Sequence, residues 1–410
     1  MSAAPQVSAR TAISSRGSRP GQALMFAGMA TAFASLYLSA GAPTPLLTLY
    51  LRQWNFSPPL LSMAFAVYAG GLLAALLTLG SLSDHLGRRP VILGALLVQL
   101  AAMVLFLAAT DISLVITARI VQGVATGVAT TAFSAALVEI APPDRKKLAT
   151  ILGSVGMAGG LALGTLLAGI AVEYAPEPNS IVFIPLAVLT VLGIVVVALS
   201  PETSPRHKGA ARSLVPNVRV PGAARSEFAA AAPAIAAAWM LAGLSLGLAP
   251  TIVRNVFHLD SGLLNGFTSF IGPMVSALAG LAFIGAKARP AMFVGILATS
   301  AGAAGILGGI LTGSLALMVI GQTLGGIGFG AAFTSALRLL IPAVQAQDRA
   351  ATISAVYVVA YLGFSIPVIL VGQLAAALGL IPAIAGYASA TFALAIISLI
   401  GQFRQHRTTR

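Results

Sequence analysis

No cysteine occurs anywhere in the 410 residues, so the chain has no disulfide framework, no thiolate metal site and no thiol nucleophile. Histidine is almost as scarce. His85, His207, His258 and His406 are spread over four loops or tails, which removes a histidine metal cluster from consideration. Charge is the third scarcity: Asp, Glu, Lys and Arg make up 8% of the chain, against about 25% in a soluble globular domain. A water-soluble fold is thereby excluded. The sequence also lacks a Gly-x-x-x-x-Gly-Lys-Ser/Thr loop, so it has no P-loop with which to use ATP. With no carboxylate pair inside an apolar stretch and no His/Asp cluster, it offers no enzymatic centre, and no cofactor or metal is implied.

What the chain has instead is apolar length. Hydrophobic residues make up 58% of it, and the mean hydropathy is +0.96. The apolar runs continue for about 20 residues rather than alternating over about ten, which predicts bilayer-spanning helices and not a barrel. Read against their breakers, these runs predict an all-α membrane protein with twelve transmembrane helices. The helices fall near 22–48, 59–80, 90–109, 112–138, 149–172, 179–199, 228–253, 262–285, 290–311, 314–340, 350–377 and 381–402. The longest polar stretch, Ser200 to Glu227, splits them evenly. The expected organisation is an N-terminal tail 1–21, a six-helix bundle 22–199, a linker 200–227, a second six-helix bundle 228–402 and a tail 403–410.

The net charge is +13, which in a soluble protein points to nucleic acid. Placement argues otherwise. With the N-terminus in the cytoplasm, all 23 cationic residues except Arg52, Arg119 and Arg254 fall on the cytoplasmic side. The positive-inside rule then sets both termini in the cytoplasm of a bacterial inner membrane, and the anionic leaflet accounts for the charge without a nucleic-acid partner. Ala40-Gly41-Ala42 behind a basic tail resembles a signal-peptide cleavage site. Cleavage would leave eleven helices and invert the charge asymmetry, so the segment is read as a retained first helix. The chain is read as a monomer whose partners are the lipid bilayer and a small-molecule solute.

Three features recur at one common offset, to within a residue. Arg119-x-x-Gln122-Gly123-x-x-x-Gly127 is matched by Gln322-x-x-Gly325-Gly326-x-x-x-Gly330. Asp144-Arg145 is matched by Asp348-Arg349, and Gly160 with Gly169 by Gly363 with Gly372. With six helices in each half, the copies are parallel and related by an axis along the membrane normal, an arrangement suited to two pseudo-symmetric bundles rocking around a midplane site.

The connection after the second helix reads Gly80-Ser81-Leu82-Ser83-Asp84-His85-Leu86-Gly87-Arg88-Arg89-Pro90. Helices joined so tightly need glycine for turn geometry and close approach, and Asp84 sits where a carboxylate can face a helix N-terminus or an arginine. The stretch closely resembles the signature loop of the major facilitator superfamily, G-x-x-x-D-x-x-G-R-[RK]. With twelve helices and a 6+6 repeat, the resemblance covers essentially the whole chain. It implies a conformational latch of Gly80, Asp84, Gly87, Arg88 and Arg89 that joins the halves on the cytoplasmic side in the outward-open state and releases in the inward-open one. The second half's loop, Gly285-Ala286-Lys287-Ala288-Arg289-Pro290, lacks the acid.

Arg119 is the one charge placed inside a span, which marks it as functional unless it snorkels from its position near the start of its helix. Arg119-x-x-Gln122-Gly123 resembles the family's R-x-x-Q-G element, which implies a place in the proton route or the central cavity. In that family the first, fourth, seventh and tenth helices line the cavity, and this raises Tyr37, Arg119, Trp239 and Gln322 above Tyr68, Gln99, Tyr357 and Tyr361. Gly160, Gly164 and Gly169 form a helix-packing stripe. The run around them also resembles the family's antiporter motif G-x-x-x-G-P-x-x-G-G, with Thr165 for the proline and Ala168 for a glycine.

Of the ten acids, none falls at mid-membrane. Proton coupling would therefore have to use Glu139, Asp84 or a route assisted by Arg119. The resemblance implies a secondary active transporter that moves a small, neutral or amphipathic, drug-like solute, with protons as a candidate coupling partner in efflux. An importer of a nutrient or organic anion, and a non-transporting receptor or scaffold of the same fold, are the alternatives.

Overall fold

A computed structural model of the chain describes residues 20–204 and 209–408. Arg10, Arg16, Arg19, Arg206, His207, Lys208 and Arg410, which the sequence reading assigns to one face, lie outside the described residues. Among the described residues all regular structure is helical, and twelve helices are long and apolar enough to cross a membrane. They are α1 (Gly21–Trp54), α2 (Pro58–Leu79), α3 (Arg88–Leu107), α4 (Ile112–Ile140), α5 (Lys146–Tyr174) and α6 (Pro178–Leu199). The second set is α7 (Gly222–Asn255), α8 (Gly262–Ala282), α9 (Ala288–Thr312), α10 (Leu315–Leu340), α11 (Arg349–Leu378) and α12 (Leu380–Thr408). Each of the twelve expected helices is present. The ends differ, most at α1, which runs on to Trp54, and at α12.

Local chemistry explains the boundaries. Proline opens α2 and α6, where its missing N–H is no loss. Side chains of Asp111, Ser261 and Ser314 accept from backbone N–H groups at the starts of α4, α8 and α10. Two spans are interrupted. α1 breaks at Ala42, before Pro43 and Pro45, and α7 carries a π-helical turn over Leu244–Leu248.

The packing pattern of the first six helices recurs in the second six. α1 packs on α5 and α6 as α7 packs on α11 and α12. α2 and α3 pack on α4 as α8 and α9 pack on α10, and α3 packs on α6 as α9 packs on α12. Two seams join the halves, α5 against α8 and α2 against α11. The seams are not closed along their whole length. One apolar cluster, built from Leu47, Phe65, Phe183, Leu248 and Val368 among others, spans both halves at the face opposite the central linker, here the distal face. Toward the linker face the core separates into one cluster in the first half, around Phe33 and Phe133, and another in the second, around Ile235 and Ile296. The halves therefore diverge toward the linker face like the arms of a V.

Glycine sets the closest approaches. A Cβ on Gly164 would overlap the Leu38 carbonyl oxygen of α1, and one on Gly160 would lie 2.8 Å from the Ala34 oxygen. A Cβ on Gly169 would lie 2.6 Å from Gly266 Cα across the α5–α8 seam. Two positions of the stripe thus bind α5 within its half, while the third seals the halves at the distal face. Gly164→Val is expected to force α1 and α5 apart and to destabilise the protein by about 3 kcal/mol, read as a lower unfolding temperature in detergent.

Candidate functional site

Between the arms lies a cavity of about 420 Å³, bordered by α1, α2, α4, α5, α7, α8, α10 and α11, while α3, α6, α9 and α12 contribute nothing to its wall. It reaches the linker face: Leu76 at the end of α2, Ile151 near the start of α5, Ile284 just past α8 and Arg338 near the end of α10 all border it. At the distal face it is shut. There Arg52 pairs with Asp260 at 2.6 Å, and the Glu173 carboxylate accepts from Ser261 Oγ at 2.9 Å and from Leu263 N at 3.2 Å. These groups are exposed and contribute little individually. The seal itself is the glycine contact at Gly169 and the Phe65–Phe364 ring pair, with centroids 5.2 Å apart.

The wall is mainly aromatic. Trp239 is its hub, with the rings of Phe329, Phe333, Tyr361 and Phe364 all within 6 Å of the indole. Tyr37, Trp239 and Gln322 border the cavity as the sequence reading expects, together with Tyr68, Tyr357 and Tyr361. Gln99 does not; it is fully buried on the peripheral α3. Phe329, Phe333, Phe364 and Arg338 were not singled out by sequence. The helical spacing of Gln322, Gly326, Phe329, Phe333 and Leu337 along one face of α10 is the signal that could have found the first two. Among the described residues Arg338 is the single charged side chain in the wall, and none of them places a carboxylate there. Its guanidinium donates to the Phe283 and Ala286 oxygens at 3.1 and 2.6 Å, capping the end of α8.

Arg119 and Gln122 do not border the cavity. Arg119 is 2% exposed, so it does not snorkel to the headgroups either. It donates to the Ala40 oxygen at 3.1 Å, the Ala64 oxygen at 3.3 Å and Gln122 Oε1 at 2.7 Å, and its guanidinium carbon lies 4.3 Å from the centroid of the Tyr68 ring. Gln122 Nε2 donates to the Ser39 oxygen at 2.8 Å. That oxygen is the one whose helical partner Pro43 cannot supply. The pair therefore repairs the break in α1, and the network continues through Thr126 to Thr130, which shares a 2.6 Å hydrogen bond with Tyr37 at the cavity wall.

At the linker face the loop after α2 carries a charge cluster. Arg88 pairs with Asp84, donates to Ser83 Oγ at 2.6 Å and reaches Glu139 at 3.4 Å; Glu139 also accepts from Thr203 Oγ1. Among the described residues, these contacts of Asp84, Arg88 and Glu139 lie on the first half and the start of the linker. Gly87 has φ +103°, a backbone state glycine alone adopts without strain. Glu202 accepts from the Arg88 and Arg89 amides at 2.8 and 3.2 Å, closing the start of α3. Partial burial pushes its carboxyl up, but the amides of Ser204, Arg88, Arg89 and Thr203 outweigh this and hold it below the usual carboxylate range. The linker is strapped to both halves: Ser81 Oγ donates to the Ser213 oxygen, and Arg219 pairs with Asp348.

A sequence profile of the Major Facilitator Superfamily matches residues 29–307. The chain belongs to that superfamily. It is a multi-pass membrane protein of a transporter family, not an enzyme. Over 73 residues it is 38% identical to the multidrug resistance protein MdtL of Citrobacter koseri, a match covering 18% of this chain and 19% of that one. The MdtL of Salmonella schwarzengrund is likewise 38% identical over 73 residues. The aligned region spans less than a fifth of either relative. Among solved structures, a bacterial homolog of the human lysosomal transporter Spinster aligns over 94% of this chain and 96% of its own chain, with a TM-score of 0.69 and 14% identity. A peptide transporter POT in complex with sulfate aligns over 94% and 95%, at 0.74 and 13%. The human organic anion transporter MFSD10 aligns over 93% and 100%, at 0.65 and 14%. At such identities the likeness is one of fold alone.

Two outcomes follow from this geometry. Gln122→Leu leaves the Ser39 oxygen and one Arg119 N–H without partners and is expected to cost about 2–3 kcal/mol, measured as lost thermal stability of the purified protein. For Glu202, a depressed folded-state pKa means that its contribution is whole above the usual carboxylate range and is lost as pH falls through the folded value. Amide-exchange protection at Arg88 and Arg89, corrected for intrinsic rate, is expected to fall below that range and to be low at neutral pH in Glu202→Ala.

Proposed function

We propose that this transporter moves a small, neutral or amphipathic organic solute across a bacterial inner membrane by alternating access, acting as a single chain with both termini and the linker in the cytoplasm. The observation that carries the reading is a cavity between the halves that is open at one face and sealed at the other. The bias of cations toward the linker face supports a cytoplasmic orientation for that face, so the state described is inward-open. Residues 22–199 and 228–402 are read as the two bodies that rock about the α5–α8 and α2–α11 seams.

In this reading the loop of Gly80, Asp84, Gly87, Arg88 and Arg89 is the latch. Here Arg88 and Asp84 pair within the first half, the released condition. When the arms close at the linker face, the α2–α11 seam brings Asp84 toward the start of α11, where a carboxylate is favoured by the helix N-terminus. Export is the direction supported by the stretch shared with MdtL, named for multidrug resistance. Proton exchange would run through Glu139 or Asp84, since no acid borders the cavity. One observation favours a second reading, transport of an organic anion: Arg338 is the charged group in the cavity wall.

Counterflow in proteoliposomes of fixed orientation tests the function and its direction, and an absence of flux for every solute bound would leave a receptor of the same fold. Asp84→Asn is expected to slow counterflow by about tenfold or more, the equivalent of about 1.4 kcal/mol, with normal insertion. Turnover equal to that of the unaltered protein would discard the latch.

A further inference from the structure

At one position the two copies of the repeat treat a buried polar residue differently. Arg119 in α4 and Gln322 in α10 occupy the same position of the repeat. The structure bears out this register, because a Cβ on Gly123 or Gly127 would meet the Tyr68 or Leu72 oxygen, and one on Gly326 or Gly330 would meet the Gly272 or Ser276 oxygen. Tyr68 thus corresponds to Gly272, and Gln122 to Gly325. Around Arg119 the two neighbours are side chains, an aromatic ring over the guanidinium and an amide accepting from it. Around Gln322 both neighbours are glycines, and both border the cavity.

The consequence is visible in the hydrogen bonding. Arg119 donates through both Nε and Nη1 and Gln122 pairs through both amide atoms, whereas Gln322, 1% exposed, has neither its Nε2 nor its Oε1 paired among the described residues. The indole Nε1 of Trp239, in the same wall, is also unpaired. A buried donor or acceptor left unmatched costs about 1–3 kcal/mol, and a site so built discriminates steeply for a ligand that supplies the match.

We propose that the solute takes the places that Tyr68 and Gln122 fill in the first half: an uncharged aromatic ring carrying an amide-like edge, with a donor and an acceptor side by side, read by the Gln322 amide. Gly272 and Gly325 both border the cavity and have no side chain of their own, so the ring and the edge meet Ser245 and Leu241 there, and Trp239 supplies a further N–H for an acceptor. Organic cations are disfavoured, since among the described residues Arg338 in the wall and Arg119 behind Tyr68 are both positive and no carboxylate lines the cavity. Recognition is thereby assigned to the second half, while the polar network of the first is structural. The assignment rests on the carrier reading of the cavity.

The chain has two tryptophans, and Trp54 stacks on Tyr50 in the distal part of α1, so Trp54→Phe leaves Trp239 as a single reporter in the cavity wall. In this background, quenching is titrated with 4-nitrobenzamide, with its N,N-dimethyl derivative, which lacks the donor, and with 4-nitrobenzylammonium. Saturable quenching by the primary amide is expected, with affinity about tenfold or more above the other two. In Gln322→Leu that preference should collapse to about twofold or less. Gly325→Gln, whose Cβ would meet the Leu241 side chain, most closely its Cδ1 at 3.0 Å, should restore an internal partner for Gln322, abolish saturable quenching and raise the unfolding temperature. Equal affinity for all three probes, no quenching by any, or a preference that survives Gln322→Leu would overturn the assignment. Counterflow by the unaltered protein bears on the carrier reading alone, so the two can fail separately.

Discussion

A polar group inside hydrocarbon has no water to pair with, so each one must find its partner within the protein or contribute its full desolvation penalty. The architecture of the first half follows from this constraint. Pro43 breaks α1 and frees the Ser39 carbonyl; Gln122 closes it; Gln122 in turn accepts from Arg119 Nη1, which also donates to the Ala40 carbonyl while Nε donates to the Ala64 carbonyl. A single buried cation thus ties α1, α2 and α4 into one unit, with Tyr68 lying over its face. Without that closure an irregular helix and an unhydrated arginine would both be hard to keep in a bilayer.

The same constraint governs the join between the halves. Their distal ends meet mainly through glycine and apolar contacts, with the polar pairs Arg52–Asp260 and Ser261–Glu173 confined to the exposed rim. Toward the linker face the cores are separate, and the charged groups gather where water is available: Asp84, Arg88 and Glu139 on one arm, Glu227 and Arg289 on the other. A seam of this kind can part at one end because little directional bonding crosses it.

Much of the site was legible residue by residue, though for unequal reasons. Tyr37, Trp239 and Gln322 stand out in an apolar sequence because polar-edged side chains are rare there, and all three border the cavity. Arg119 stands out by the same logic and lies behind the wall instead. Rarity reveals that a side chain needs a partner, but not whether that partner is protein or solute. Phe329, Phe333 and Phe364 were missed because a phenylalanine taken singly does not separate a cavity wall from a lipid-facing surface; for the first two only their spacing from Gln322 along α10 carries that signal.

By itself the sequence determined the class, the twelve helices, the duplication and the side on which the cations collect. Those properties are written in local hydropathy, in breakers and in spacing, each confined to a short stretch of chain. Only the tertiary structure decided which face of the cavity is open, that Gly169 seals the distal end while Gly164 holds α5 to α1, and that Gln322 lacks the partners its counterpart Arg119 has. These depend on which side chains from distant helices arrive at the same place. Helices of nearly uniform hydropathy do not encode that in any one segment.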